Sequence, residues 1–252
     1  MATRPLMKLR VLGCYSPYPP ADGAGPGYLL ETTTTKVLLD CGSGVVSQLG
    51  RVCDLTNGEL SAVILSHLHA DHFCDLLVLR YARFLSMRAG KATPLAVYAP
   101  SKPDLERASL PFLDTLSIST IQQGSSLSIS EMKFDFAGTL HPYPALAIKA
   151  TVDDRSMVYT GDTAWHDDLI DFCRGADTLL AEASFLEQNK GTNVALHLSA
   201  RDAGRLAQMA GVKRLVLTHF HPAARLDLLL AEAEAQFAGE IILASTGLVL
   251  DI

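Results

Sequence analysis

The chain has no long apolar run. Stretches such as residues 62–65 and 215–217 are strand-sized, far short of the ~20 residues that a membrane-crossing helix needs. A dense basic run is missing too: 21 Lys and Arg are scattered among 27 Asp and Glu, for a net charge of −6. Proteins that grip a long nucleic acid through many phosphates normally carry a basic patch, so the balance favours a small substrate. The five cysteines, Cys14, Cys41, Cys53, Cys74 and Cys173, form no C-x-x-C pair. Odd in number and widely spaced, they read as reduced and mostly buried thiols. Cys41 and Cys74 stand near the candidate site described below and are read as pocket wall, not as ligands. Residues 1–10 are basic, but no long apolar stretch and small-residue cleavage site follow. They therefore do not read as a signal peptide, and the expected location is cytoplasmic. No low-complexity segment or linker divides the chain; residues 15–27 are a loop too short and too early to be a boundary.

What is present is an ordinary globular composition, 48% hydrophobic and 19% charged over 252 residues. That length buries a sizeable core in one two-layered domain or two small ones. Period-two apolar runs predict strands at residues 9–12, 27–31, 36–40, 62–66 and 95–98, with helices at 42–51, 73–89 and 102–116. Antiparallel strands are expected at 127–129, 133–137, 145–151 and 156–160. The second half alternates strand and helix: strands at 178–181, 214–218, 241–244 and 248–251, helices at 199–210 and 227–237. Each half runs from strands into helices, which predicts an α/β architecture of two sheets packed face to face with helices outside. Function is expected on loops at one rim.

One motif carries the chemistry. His67-Leu68-His69-Ala70-Asp71-His72 follows the strand at 62–66 and opens a helix. His67 and His69 alternate as on an extended segment, whereas Asp71 and His72 turn with the helix toward a second point. Imidazole nitrogens and carboxylate oxygens are the donors that Zn²⁺ takes. A polar loop with several histidines by chance is the bland alternative, but the chain has only 8 His. His141, Asp162 (in Gly161-Asp162-Thr163) and His219 also follow predicted strands, so they can share the rim.

H-x-H-x-D-H, a distant His, G-D-T and then L-T-H-F together resemble the metallo-β-lactamase superfamily, over nearly the whole chain. The resemblance implies a four-layered αββα sandwich as one domain, residues 1–252. It also implies two metal ions, with zinc expected and Mn²⁺ or Fe²⁺ as alternatives. On this resemblance His67, His69 and His141 bind one ion, Asp71, His72 and His219 bind the other, and Asp162 bridges them. Two divalent ions ~3.5–4 Å apart can share a hydroxide near neutral pH, which Asp71 would hold with its free oxygen.

Within the superfamily the chain is most similar to ribonuclease Z and related phosphodiesterases. Val11-Leu12-Gly13, Leu38-Leu39-Asp40-Cys41-Gly42-Ser43-Gly44, Glu182-Ala183-Ser184-Phe185 and His197-Leu198-Ser199 carry that likeness. It implies His197 as general acid or phosphate contact and Glu182 as the residue that orients and charges it. Two departures point away from transfer RNA. Only about twenty residues separate His141 from Asp162, too few for the ribonuclease's clamping arm. After His219 the chain reads Phe220-His221-Pro222 where that group has Ser-x-Arg-Tyr. The expectation is therefore a hydrolase of a small phosphodiester such as a cyclic nucleotide.

Alternatives kept open are a ribonuclease Z-like endonuclease, a lactonase or thioesterase on the same metals, and a metal-binding module without catalysis. Trp165 and His166 are candidate substrate contacts, His221 is read as a structural neighbour of His219, and homodimerisation is left open.

Overall fold

A computed structural model describes residues 7–191 and 196–252; the first six residues of the basic N-terminal stretch lie outside it. Period-two patterning builds the first sheet. In β2 (Gly27–Glu31), β3 (Lys36–Leu39) and β4 (Ala62–Ile64), Tyr28, Leu30, Val37, Leu39, Ala62 and Ile64 join one core cluster. The intervening Leu29, Leu38 and Val63 join a second, with Val45 and Leu49 of α1 (Val45–Leu49) and Leu76 and Leu79 of α3 (Leu76–Arg88). Both faces of these strands are buried, so they read as almost continuous apolar runs. Each aliphatic side chain so buried contributes about 1.5–3 kcal/mol relative to exposure.

With β1 (Lys8–Gly13), β5 (Leu95–Ala99), β6 (Leu116–Thr120) and β14 (Val249–Asp251), these strands form a seven-stranded sheet in the order β14-β1-β2-β3-β4-β5-β6. The second sheet runs β13-β12-β11-β10-β9-β8-β7. Its strands are β7 (Ser126–Ile129), β8 (Met132–Gly138), β9 (Leu146–Val152), β10 (Arg155–Tyr159), β11 (Thr178–Glu182), β12 (Arg214–Thr218) and β13 (Glu240–Leu243). Phe134, Phe136, Ile148 and Tyr159 bring its inner face to the core that it shares with the first sheet. The remaining helices are α2 (Ala70–Phe73), α4 (Asp104–Ser109), α5 (Asp168–Cys173), α6 (Ala200–Ala210) and α7 (Leu226–Glu234), and α5, α6 and α7 add Leu169, Leu206 and Leu229 to that cluster. Helices thus flank two sheets, the expected α/β sandwich. In each sheet one side is antiparallel and the other parallel: β3-β4-β5-β6 and β10-β11-β12-β13.

Several expected elements change. The helix expected at 73–89 is two, α2 and α3, because the Asp75 amide donates to Cys41 O (3.0 Å) instead of staying within the helix. The helix expected at 102–116 shrinks to α4; Pro111 lacks an amide to continue it, and 116–120 form an unforeseen strand, β6. The helix expected at 42–51 starts only at Val45, since Gly44 turns left-handed with φ 84°. The helix α5 was not foreseen.

Loop 40–44 and α2 are tied together: Cys41 N donates to His72 O at 2.7 Å. The approach is so close that a Cβ on Gly42 would stand 2.0 Å from Asp71 O. Gly42→Ala is therefore expected to destabilise the fold by about 1–3 kcal/mol, read by urea denaturation. A variant as stable as wild type would show that the two loops are not packed as described.

Candidate metal centre

Parallel strands of both sheets end at one rim. Asp40 follows β3, Ser66 and His67 follow β4, Asp162 follows β10, Glu182 ends β11 and His219 follows β12; open α/β sheets place ligands at such carboxyl ends. His141 lies between β8 and β9. Asp40 (φ 55°) and His219 (φ 63°) adopt left-handed backbone, a conformation that non-glycine residues take at a cost of about 1–3 kcal/mol and that collects at functional sites.

His67, His69, His141 and Asp162 each offer a ligand atom within 4.8 Å of the others, and so do Asp71, His72 and His219. Asp162 stands between the groups. Its Oδ2 is 3.6 Å from His67 Nε2, while its Oδ1 is 3.1 Å from His219 Nε2 and 3.4 Å from His72 Nε2. All seven residues predicted as ligands are thus together. Asp162, His197 and His219 form a third, overlapping group.

Two buried carboxylates orient the rings. Asp40 Oδ2 accepts from His72 Nδ1, Tyr159 Oη and Ser66 Oγ, each at 2.8 Å, and its Oδ1 accepts from Ser66 N at 2.7 Å. Ser66 Oγ, having given its proton to Asp40, accepts from His67 Nδ1 at 3.0 Å. His141 Nδ1 donates to Tyr143 O at 3.3 Å. Ring protons placed on Nδ1 leave Nε2 bare and aimed inward. On the other side of the site Glu182 Oε1 accepts from Thr163 N (2.6 Å). Its Oε2 accepts from Ser184 Oγ (2.6 Å) and His197 Nδ1 (3.0 Å). Ser16 Oγ donates to Asp71 Oδ2 at 2.7 Å.

This donor set fits a divalent cation on three observations. His72 Nε2 and His219 Nε2 face each other at 3.2 Å, a repulsive contact between lone pairs unless positive charge lies there. Asp162 Oδ1 is buried without a hydrogen-bond partner. The surplus of negative charge also shows in the protonation of the protein alone: burial works to lower the pKa of His72, but Asp162 and Asp40 override it and raise it to about 10. Imidazole and carboxylate are the donors that Zn²⁺ and its neighbours take. Cys41 is buried, Cys74 is half-buried, and neither belongs to a ligand group.

Beside His219 opens a cavity of about 610 Å³, lined by His197, Ser16, Ser184, Phe185, Leu229 and His221 among others. Burial acts to lower the His197 pKa, yet the Glu182 charge and hydrogen bond raise it to about 9, so the ring carries a proton to donate. The capping box of α6, Ser199 with Asp202, fixes the backbone two residues on. Glu182, predicted as catalytic, is fully buried with both oxygens occupied; it accepts from His197 Nδ1 and is not among the residues that line this cavity. Trp165 stacks under the Arg205 guanidinium at 4.5 Å, and neither it nor His166 is among the cavity's lining residues. His221, read from sequence as a structural neighbour of His219, lines the same cavity. Sequence reasoning gave no role to Asp40, Ser66, Ser184 or Ser16. The only available signal was the position of Asp40, Ser66 and Ser184 at strand ends beside the motifs.

The Beta-lactamase superfamily domain profile matches residues 35–220. The chain belongs to that family. It is 33% identical over 244 residues to the "Probable metallo-hydrolase YhfI" of Bacillus subtilis, covering 96% of this chain and 99% of the relative. The crystal structure of YhfI superposes with a TM-score of 0.90 over 97% of this chain and 99% of its own. A "Ribonuclease Z" of Mycobacterium bovis is 27% identical over 245 residues, 86% of this chain and 87% of the relative. A "New Diphosphatase from the PhnP Family" shares the fold at a TM-score of 0.76 and 20% identity, covering 98% of each chain.

Removing the Asp40 carboxylate would strand the Tyr159 hydroxyl, the His72 Nδ1–H and the Ser66 amide, all buried. Asp40→Ala is expected to cost at least about 3 kcal/mol, measured by denaturant unfolding of the metal-free chain. A loss under about 1 kcal/mol would contradict the network described.

Proposed function

We propose that the chain is a dinuclear, zinc-dependent phosphodiesterase acting on a small phosphodiester such as a cyclic nucleotide. The observation that carries this reading is His197, its Nδ1 anchored on Glu182 Oε2 at 3.0 Å and its ring standing on the same cavity as His219. His67, His69 and His141 would hold one ion, Asp71, His72 and His219 the other, and Asp162, with one oxygen toward each group, would bridge them. Bound there, the ions would supply Lewis acidity at the phosphoryl oxygens and make hydroxide available near neutral pH. Asp71, one oxygen pinned by Ser16, orients the attacking water and takes its proton. As the P–O bond to the leaving oxygen breaks, His197 Nε2 gives its proton to that oxygen, and the product is a phosphomonoester. A thiolate leaves without a proton whereas an unactivated alkoxide needs one, so a positioned donor at His197 favours an oxygen ester over a thioester.

The small-substrate reading rests on the net charge of −6 and on the hairpin β9–β10, which occupies the chain between His141 and Asp162 and leaves no residues for a transfer-RNA arm. Five unpaired cysteines suit a reducing compartment, and no helix among the described residues is long and apolar enough to cross a membrane; we place the enzyme in the cytoplasm.

Zinc-loaded wild type is expected to hold two ions per chain and to cleave bis-p-nitrophenyl phosphate and at least one of the 2′,3′- or 3′,5′-cyclic nucleotides. Failure on all of these, with turnover of a lactone or thioester panel, would replace the reading with a carboxylic ester hydrolase. Asp71→Ala should remove nearly all activity. His197→Ala should slow poor leaving groups by about 10²–10⁴-fold and activated p-nitrophenyl esters far less. Equal slowing of both would remove His197 from the acid role.

A further inference from the structure

Asp40 and Glu182 hold their rings by the same device. Asp40 takes His72 Nδ1 directly and His67 Nδ1 through Ser66; Glu182 takes His197 Nδ1 directly and His219 Nδ1 through Ser184. A serine hydroxyl has one proton. Ser184 Oγ lies 2.6 Å from Glu182 Oε2, which only accepts, so its proton goes there. The 2.9 Å contact between Ser184 Oγ and His219 Nδ1 is then a hydrogen bond only if Nδ1 carries the ring proton. That leaves Nε2 bare, and Nε2 is the atom 3.1 Å from Asp162 Oδ1. Glu182 cannot do this alone, because its Oε2 is 3.7 Å from His219 Nδ1, beyond hydrogen-bond reach.

We propose that Ser184 is a positioning residue that relays Glu182 to His219, locks the Nδ1–H tautomer and so sets the cation affinity of the Asp71–His72–His219 position. The inference rests on the two-ion reading above. Outer partners of ligating histidines fix tautomer and ring orientation, and their loss typically weakens metal binding by ~10–100-fold. Ser184 is only half-buried and lines the cavity, so the site tolerates substitution.

The test is a zinc titration of the chelator-stripped full chain against a chromophoric competitor, on wild type, Ser184→Ala, Ser184→Thr and Ser184→Val. Thr keeps the hydroxyl and Val matches its shape without it, so the pair separates hydrogen bonding from packing. Wild type should bind two equivalents. In the Ala and Val variants the dissociation constant of one equivalent should rise ~10–100-fold while the other stays within about twofold. Thr should restore wild-type affinity. Nitrogen-15 spectra of the histidine rings should show His219 as the Nδ1–H tautomer in wild type and Thr, and a mixture in Val. Val binding both equivalents like Thr, or both equivalents weakening together, overturns the Ser184 assignment alone. Wild type that binds fewer than two ions overturns the two-ion reading, and this inference with it.

Discussion

Two carboxylates buried at strand ends, Asp40 and Glu182, hold the site in place. Neither reaches the cavity, and both are fully buried. A buried carboxylate is costly unless its lone pairs are satisfied, and here they are: Asp40 accepts four hydrogen bonds and Glu182 three. Because each acceptor is also the outer partner of imidazoles, the satisfaction of the carboxylates and the aim of the rings are one constraint. Moving His72 would unsatisfy Asp40, and moving His197 would unsatisfy Glu182.

The topology explains why this constraint can be met twice. Each sheet passes from an antiparallel to a parallel half, and the strand ends of both parallel halves come to one rim. Asp40 and Glu182 occupy those ends, β3 in one sheet and β11 in the other. Each then has a serine close by, Ser66 one strand over and Ser184 two residues on, so a second ring is reached through a hydroxyl. Asp162, on the turn after β10, lies between the two systems. Burial and the neighbouring imidazoles act against each other there: burial favours its neutral form, yet His219, His72 and His67 hold its carboxyl well below the usual range.

Sequence made the candidate ligands legible because they are concentrated. His67 to His72 fall in six residues, and His141, Asp162 and His219 each follow a strand that its apolar run reveals. The two-sheet architecture was legible for the same reason. Helix bounds were not, because they are set by tertiary hydrogen bonds such as Asp75 N to Cys41 O, which no local pattern encodes. The positioning layer was hidden too, except for Glu182, which the resemblance had already set beside His197. Ser66 and Ser184 are ordinary residues in a sequence, and their roles exist only once Asp40 and Glu182 have been placed beside them. That His221 also faces the cavity was not legible for a related reason: its distance from the motif histidine says nothing about which way the loop after β12 turns.

This layering separates chemistry from choice of substrate. The two carboxylates that orient the rings are buried and each is shared by several partners, so a change in either disturbs several others. The cavity wall is different. Phe185, His221 and Arg225 stand on the loops after β11 and β12, outside the carboxylate networks, and Arg225 pairs with Asp227. Those positions can vary without disturbing Asp40 or Glu182. A protein built this way can keep one metal centre while its loops change. His197 belongs to both layers, with Nδ1 fixed by the buried carboxylate and its ring on the cavity, so the acid role proposed for it would be exercised where a substrate and the fixed network meet.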